Sequence, residues 1–291
     1  MSVTTPAVAA DGLGVRFGRT HALRDCTFAL PSGRISALVG PNGAGKTTLM
    51  HVAAGLLSPT AGSLTVWGET PGTRGAPEGM AFVSQAKPLY KRFTVTDMMR
   101  VGRKLNTRWD TDLADKLVAE AGIDPARRVG ALSAGQRTRV ALVLALARRP
   151  RLVVLDEPFA DLDPLARTDT MKVLMRATAD DGLTVLLSSH VIAELEDICD
   201  HLLLMARGGV HLDGDIDTIV DEHHIAVGPA GALPFTPDTV VEVLPAPRQT
   251  TVMLRGAAPA TPGWEFTRPR LEDVVMAHLR RMSTDGREVA A

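Results

Sequence analysis

Apolar and polar positions change their spacing along the chain, and each change marks an element. Short mixed runs at Val8 to Phe17 and Asp25 to Leu30, broken by turn residues such as Pro31-Ser32-Gly33, predict strands. Ile35 to Val39 is a short apolar run that ends in a glycine-rich loop and passes into a helical stretch, Lys46 to Ala54. Strand, loop and helix in that order open a parallel α/β unit. Gly62 to Gly68 and Met80 to Ser84 read as further strands. From Thr94 to Arg149 the pattern turns helical: Leu113, Leu117 and Ala121 recur at helical spacing, and Leu142, Val143, Leu146 and Ala147 form one apolar face. Arg151 to Leu155 predicts a strand buried on both sides, because nearly every position is apolar. A helix over Leu165 to Ala179, a strand over Leu183 to Ser188 and a helix over Ile192 to Cys199 follow. The alternation predicts an α/β fold with a mostly parallel sheet.

Near Ile225 the character changes. Residues 226–237, rich in Gly and Pro from Val227 onward, read as a linker. Beyond it, Thr239 to Val243 and Thr250 to Leu254 predict strands, and Leu271, Val274, Val275 and Leu279 place one apolar stripe on a helix. Residues 238–282 thus form a small α+β appendix, with Met1 to Ala7 and residues 283–291 expected to be disordered.

Composition narrows the function classes. The 291 residues carry a formal net charge of -1, with 45% hydrophobic and 22% charged content. That balance lacks the basic footprint of a nucleic-acid binder, so no nucleic acid is expected as a partner. Two distant cysteines, Cys26 and Cys199, give neither metal spacing nor a disulfide framework. A membrane span needs about 20 successive apolar residues. The longest candidate, Val140 to Ala147, is far shorter and runs into Arg148 and Arg149. The first ten residues lack the basic and apolar regions of a secretory signal. Any transport pathway is therefore expected on another polypeptide.

Gly40-Pro41-Asn42-Gly43-Ala44-Gly45-Lys46-Thr47 is a full match to the P-loop pattern, with Thr48 continuing the helix. The glycines let backbone N–H groups cradle phosphate oxygens, Lys46 reaches the β- and γ-phosphates, and the Thr47 hydroxyl helps hold Mg²⁺. The strand before Asp156 delivers that carboxylate and Glu157 to its C-terminal end, where α/β sites assemble. Asp156 is placed to coordinate Mg²⁺ and Glu157 to polarise an attacking water.

With these motifs the chain resembles the ABC ATPase family. Leu132-Ser133-Ala134-Gly135-Gln136 is similar to its LSGGQ motif, with Ala134 where the family usually has glycine. The resemblance implies that Ser133, Gly135 and Gln136, at a helix N-terminus, face the γ-phosphate held by a partner cassette. It further implies a Q-loop at Gln85 that touches Mg²⁺ and senses a permease. Ala160-Asp161-Leu162-Asp163 corresponds to a D-loop whose Asp163 crosses the dimer interface, and His190 to the switch histidine on the γ-phosphate. Phe17 corresponds to the aromatic that stacks on adenine. Read from the residues alone, Asp163 before Pro164 is a helix cap and Phe17 a core aromatic.

The resemblance spans residues 8–225. It implies the P-loop ABC ATPase fold, with an antiparallel β subdomain and a helical subdomain over residues 86–148. It implies ATP and Mg²⁺ as ligands, catalysis by Lys46, Glu157 and His190, and a dimer of two cassettes, expected to be identical. It also implies a separate membrane permease that meets residues 86–105, and a place on the cytoplasmic face of the membrane. Pro269-Arg270-Leu271-Glu272-Asp273-Val274-Val275 resembles a short motif of ATPases that serve drug and antibiotic exporters. Export of a small molecule is the resulting expectation, with an importer or a non-transport ABC ATPase as the alternatives.

Overall fold

The computed structural model describes residues 5–72, 77–258 and 261–288. The chain opens with β1 (Val8–Phe17), β2 (Thr20–Leu30), β3 (Ile35–Val39), α1 (Lys46–Ala53) and β4 (Ala61–Val66). β1 lies between β2 and β4 in an antiparallel three-stranded sheet. Its inward residues, including Leu13, Val15, Leu23 and Phe28, pack on Leu49, Met50 and Val52 of α1.

Next come β5 (Met80–Val83), α2 (Val95–Leu105), α3 (Thr111–Glu120), α4 (Ala134–Leu146), β6 (Leu152–Leu155), α5 (Pro164–Asp181), β7 (Thr184–Ser189), β8 (His201–Ala206) and β9 (Gly209–Asp215). The central sheet runs β5-β6-β7-β3-β8-β9, parallel except for β9. Strands β3, β6, β7 and β8 are buried at every position. Alternate residues serve two cores, as a period of two requires. Leu38, Val154 and Leu186 face the three-stranded sheet and α1. Val39, Leu155 and Leu187 face the layer that holds α4 and α5. The pairing of Leu155 with Leu187 and of Val39 with Ser189 brings the ends of β6, β7 and β3 level. Whatever follows those strands meets above β7.

The C-terminal part comprises α6 (Ile216–Asp221), β10 (His223–Pro229), β11 (Val240–Pro245), β12 (Gln249–Arg255), β13 (Glu265–Thr267) and α7 (Leu271–Glu288). Its sheet is antiparallel, ordered β11-β12-β10-β13. Here the structure departs from expectation. The first part of the anticipated linker, up to Pro229, is strand β10, paired on both edges. Gly228 suits that strand because a Cβ there would lie 2.3 Å from Trp264 Cδ2. What looked like linker glycine is room for an indole. The appendix also shares the main core: Leu271, Val274 and Val275 of α7 cluster with Leu195, Cys199 and Leu202.

Other differences are local. Residues 283–288, expected as a disordered tail, continue α7, and residues 289–291 lie outside the described residues. Of the anticipated disordered lead, residues 1–4 also lie outside. Ala7 is buried and donates its N–H to the Leu30 carbonyl at 2.9 Å. Ile192 to Cys199 holds only a 3₁₀ turn, Ile192–Glu194, in place of a helix.

Candidate functional site

α1 begins at Gly45, whose φ of 104° only glycine adopts readily. No side chain caps the helix and no acidic residue stands in its first turn. Its first N–H groups and the positive end of its dipole therefore face the loop before it, an arrangement that attracts an anion. The loop tolerates no side chain at its pivots. A Cβ on Gly40 would lie 2.1 Å from the Met205 carbonyl oxygen, and one on Gly45 2.6 Å from that of Ala22. Lys46 is buried, and its Nζ donates to the carbonyls of Gly40 at 2.6 Å and Pro41 at 3.2 Å. Burial pushes its pKa down, while Glu157 and Asp156 pull the other way.

The carboxylates arrive from β6. Asp156 is buried and carries two hydrogen bonds: Thr47 Oγ1 donates to Oδ2 at 3.0 Å, and Ser188 Oγ donates to Oδ1 at 2.8 Å. Glu157 takes a left-handed φ of 50° and donates its N–H to Ser188 Oγ at 2.8 Å. Its Oε2 lies 2.8 Å from Nδ1 of His190. The Glu157 side chain is 13% exposed and that of His190 61%, so this pair runs from the interior to the solvent. Thr47, Asp156, Ser188, Glu157 and His190 form one continuous chain of contacts.

Thr47, Asp156, Glu157 and His190, with Lys46 and the glycine loop, line a cleft of about 700 Å³ that also includes Phe17, Asn42, Gly43, Ala44, Thr48 and Gln85, while Ser188 lies buried behind them. Phe17 is 54% exposed at the mouth, which removes the core-aromatic reading. Thr20, His21 and Ala22 line the cleft as well, a contribution the motifs did not reveal. The signal was available in one form: Phe17 pairs with Thr20 across the β1–β2 turn, so a site at one reaches the other. A larger cavity, about 820 Å³, lies beside α3 and α5 and contains none of these residues.

Ser133, Gly135, Gln136 and Asp163 do not line this cleft. Ser133 and Gln136 form a reciprocal capping box on α4, both bonds at 3.1 Å. Ala134 is the first residue of α4 and has no positive φ, so its methyl group is unstrained where glycine is usual. Gly135, in the first turn of α4, packs against the loop after β6, and a Cβ there would lie 3.0 Å from the Asp161 carbonyl oxygen. Asp163 caps α5 by accepting the Ala166 N–H at 2.9 Å. Within one chain, then, these residues form a second surface apart from the cleft.

Comparison with known proteins agrees with this geometry. The family model described as ABC transporter matches residues 23–160. The Nod factor export ATP-binding protein I of Rhizobium sp. (strain N33) is 35% identical over 225 residues, 74% of each chain. The sulfate/thiosulfate import ATP-binding protein CysA 1 of Rhizobium meliloti (strain 1021) is 36% identical over 74% of this chain. The chain spans 65% of that importer's length, and 61% of the Fe(3+) ions import ATP-binding protein FbpC 2 of Rhodococcus jostii (strain RHA1). A solved ATP-binding subunit of an ABC transporter superposes with a TM-score of 0.67 at 26% identity, covering 74% of this chain and 92% of that one. The chain belongs to the ABC transporter ATP-binding protein family.

Proposed function

We propose that this chain binds ATP with Mg²⁺ and hydrolyses it to drive transport through a separate membrane-spanning partner. One observation carries the reading: an uncapped helix N-terminus and a buried lysine meet an Asp–Glu pair in a single cleft. Phosphates would lie along the glycine loop, against the N–H groups of α1 and Lys46. Adenine would stack on exposed Phe17. The donor set suits Mg²⁺, which takes few protein oxygens and completes its shell with phosphate and water. Thr47, Asp156 and Gln85 are the residues that would hold it. Bound there, the ion neutralises charge on the β- and γ-phosphates.

Glu157 accepts a proton from water as the water oxygen attacks the γ-phosphorus and the bond to the ADP oxygen breaks. His190, hydrogen-bonded to Glu157, holds that carboxylate in place and presents its exposed edge to the γ-phosphate. The surface of Ser133, Gly135 and Gln136 lies outside this chain's own cleft, which supports a role on the nucleotide of a second, identical cassette. Asp163 would stand at the same interface. Among the described residues no helix is long and apolar enough to cross a membrane. The likeness to ATP-binding proteins of import and export systems supports a separate permease as the partner and the inner face of the cell membrane as the place.

The finer reading is export of a small drug-like compound. Export relatives are matched over more of their length: 74% of the Nod factor protein, and 95% of the lipopolysaccharide export protein LptB of Haemophilus influenzae, at 29% identity. The importers are matched over 65% or less. Loss of the gene should sensitise cells to a toxic amphipathic compound; unchanged tolerance across a broad panel would favour import. The ATPase reading itself is tested by Glu157→Gln. Wild type should hydrolyse ATP, and the variant should lose about 10²-fold or more in kcat while accumulating as an ATP-bound dimer. A variant that hydrolyses normally and stays monomeric would overturn the assignment of Glu157.

A further inference from the structure

We propose that Ser188 is a positioning residue for ATP hydrolysis, holding the metal-binding and water-activating carboxylates in register through one hydroxyl. The proposal rests on the ATPase reading and deepens it.

Ser188 is fully buried near the end of β7, following Val185, Leu186 and Leu187. An apolar side chain would continue the pattern of that strand. A buried hydroxyl costs stability unless its hydrogen bonds are made, and here two are made. A serine hydroxyl has one proton to give and lone pairs to accept with. Its proton goes to Asp156 Oδ1, and a lone pair receives the N–H of Glu157. One atom therefore grips both sides of the Asp156–Glu157 link, a side chain on one residue and a backbone on the next.

Both grips have consequences. With Oδ1 held by Ser188 and Oδ2 by Thr47, the Asp156 carboxylate cannot turn about its bond to Cβ without breaking a contact. On the other side, the left-handed backbone of Glu157 is unfavourable for a residue with a Cβ, and such residues persist where their surroundings over-determine them. The Ser188 acceptor holds that N–H in place, and His190, two residues further along, takes the carboxylate of the same glutamate at 2.8 Å. The end of β7 thus fixes Glu157 at its backbone and at its tip.

Ser188→Ala removes donor and acceptor together, whereas Ser188→Thr keeps the hydroxyl. The test compares both with wild type in four measurements: kcat, ATP affinity without metal, Mn²⁺ affinity of the nucleotide complex by electron paramagnetic resonance, and folding by circular dichroism. Ser188→Ala should lose about 10- to 100-fold in kcat and in Mn²⁺ affinity, the usual effect of removing a group that orients a metal ligand. Its metal-free ATP affinity should stay within about twofold, because the N–H cradle of α1 is untouched. Ser188→Thr should recover most of both losses.

Wild-type kcat and Mn²⁺ affinity in Ser188→Ala would overturn the proposal while leaving the ATPase reading intact. Equal loss of metal-free ATP binding, or an unfolded Ser188→Ala beside a folded but inactive Ser188→Thr, would reduce Ser188 to packing and also overturn it. Failure of wild type to hydrolyse ATP would instead remove the parent reading.

Discussion

Gly45 shows how narrowly single positions are set. It combines a left-handed φ of 104° with two close approaches, 2.6 Å to the Ala22 carbonyl oxygen and 2.7 Å to Leu23 Cδ2 for any added Cβ. Gly45→Ala must therefore move the start of α1 away from β2. Strain of this kind costs about 1–3 kcal/mol. The expected result is a lower urea midpoint and at least about tenfold weaker nucleotide binding, since a shift of α1 misaims every N–H donor at once. A variant with wild-type affinity would mean that the loop has slack the geometry denies. Gly43, with φ of 81° and nothing within 4 Å of a Cβ, should tolerate alanine better in packing, though not in backbone conformation. The glycine loop and the Asp156–Glu157 pair were legible in the sequence because each is contiguous and follows an apolar strand. Ser188 was not. Its partners lie 31 and 32 residues away, and a lone hydroxyl at a strand end has no pattern until the sheet order places β7 beside β6.

Between elements, the loops after β5 and β6 are tied by an ion pair that no motif announced. Lys87, two residues after Gln85, reaches Asp161 at 2.5 Å, four residues after Glu157. The lysine side chain is 5% exposed and the aspartate 43%, so the two partners are not equivalent. Removing Asp161 strands a buried ammonium, whereas removing Lys87 leaves a carboxylate that water can reach. Asp161→Ala should therefore destabilise by about 1–3 kcal/mol and Lys87→Met by less. The double variant should be more stable than Asp161→Ala alone, since no charge is then left buried. Urea unfolding of the four proteins closes the cycle, and simple additivity would show that the two side chains do not interact. The same loop supports Gly135 at the start of α4, so the ATPase rate of these variants also reports how the cleft and the Ser133 surface communicate. Sequence pattern located most strands of the central sheet, because buried parallel strands read as apolar runs. It failed at β10, where Gly228 exists to admit Trp264, a partner 36 residues further on.

Across the molecule, the C-terminal unit is held to the cassette by α7, which shares the main core. The apolar stripe of Leu271, Val274 and Val275 was legible; what it packs against was not, because Leu195 and Leu202 are distant in sequence. Within that unit, α7 is joined to β10 by a polar contact. His223, at the start of β10, has Nδ1 2.6 Å from the Ile219 carbonyl oxygen, which makes Nδ1 the donor and Nε2 an acceptor. His278 of α7 then donates from its own Nε2 at 3.0 Å. This arrangement needs a neutral His223, since a proton on its Nε2 would set two N–H groups against each other; His278 is kept neutral by burial. Burial pushes the pKa of His278 down from 6.5 to about 4, and His223, Arg255, Arg281 and His211 all add to the shift. That of His223 is also lowered, chiefly by burial. In the unfolded chain both histidines bind protons near pH 6.5. Between that pH and about 4 the unfolded state holds more protons, so stability falls as the solution is acidified through this window and is flat above it. His278→Gln keeps an N–H donor for His223 without a titrating ring. It should leave stability at neutral pH nearly unchanged and flatten the acid loss, measured as urea midpoints from neutral pH down through the window. Carboxylates elsewhere titrate equally in both proteins and cancel in the difference. Parallel profiles would show that the joint between α7 and β10 does not sense protons; a profile flattened only below pH 6.5 would assign the acid sensitivity to this pair.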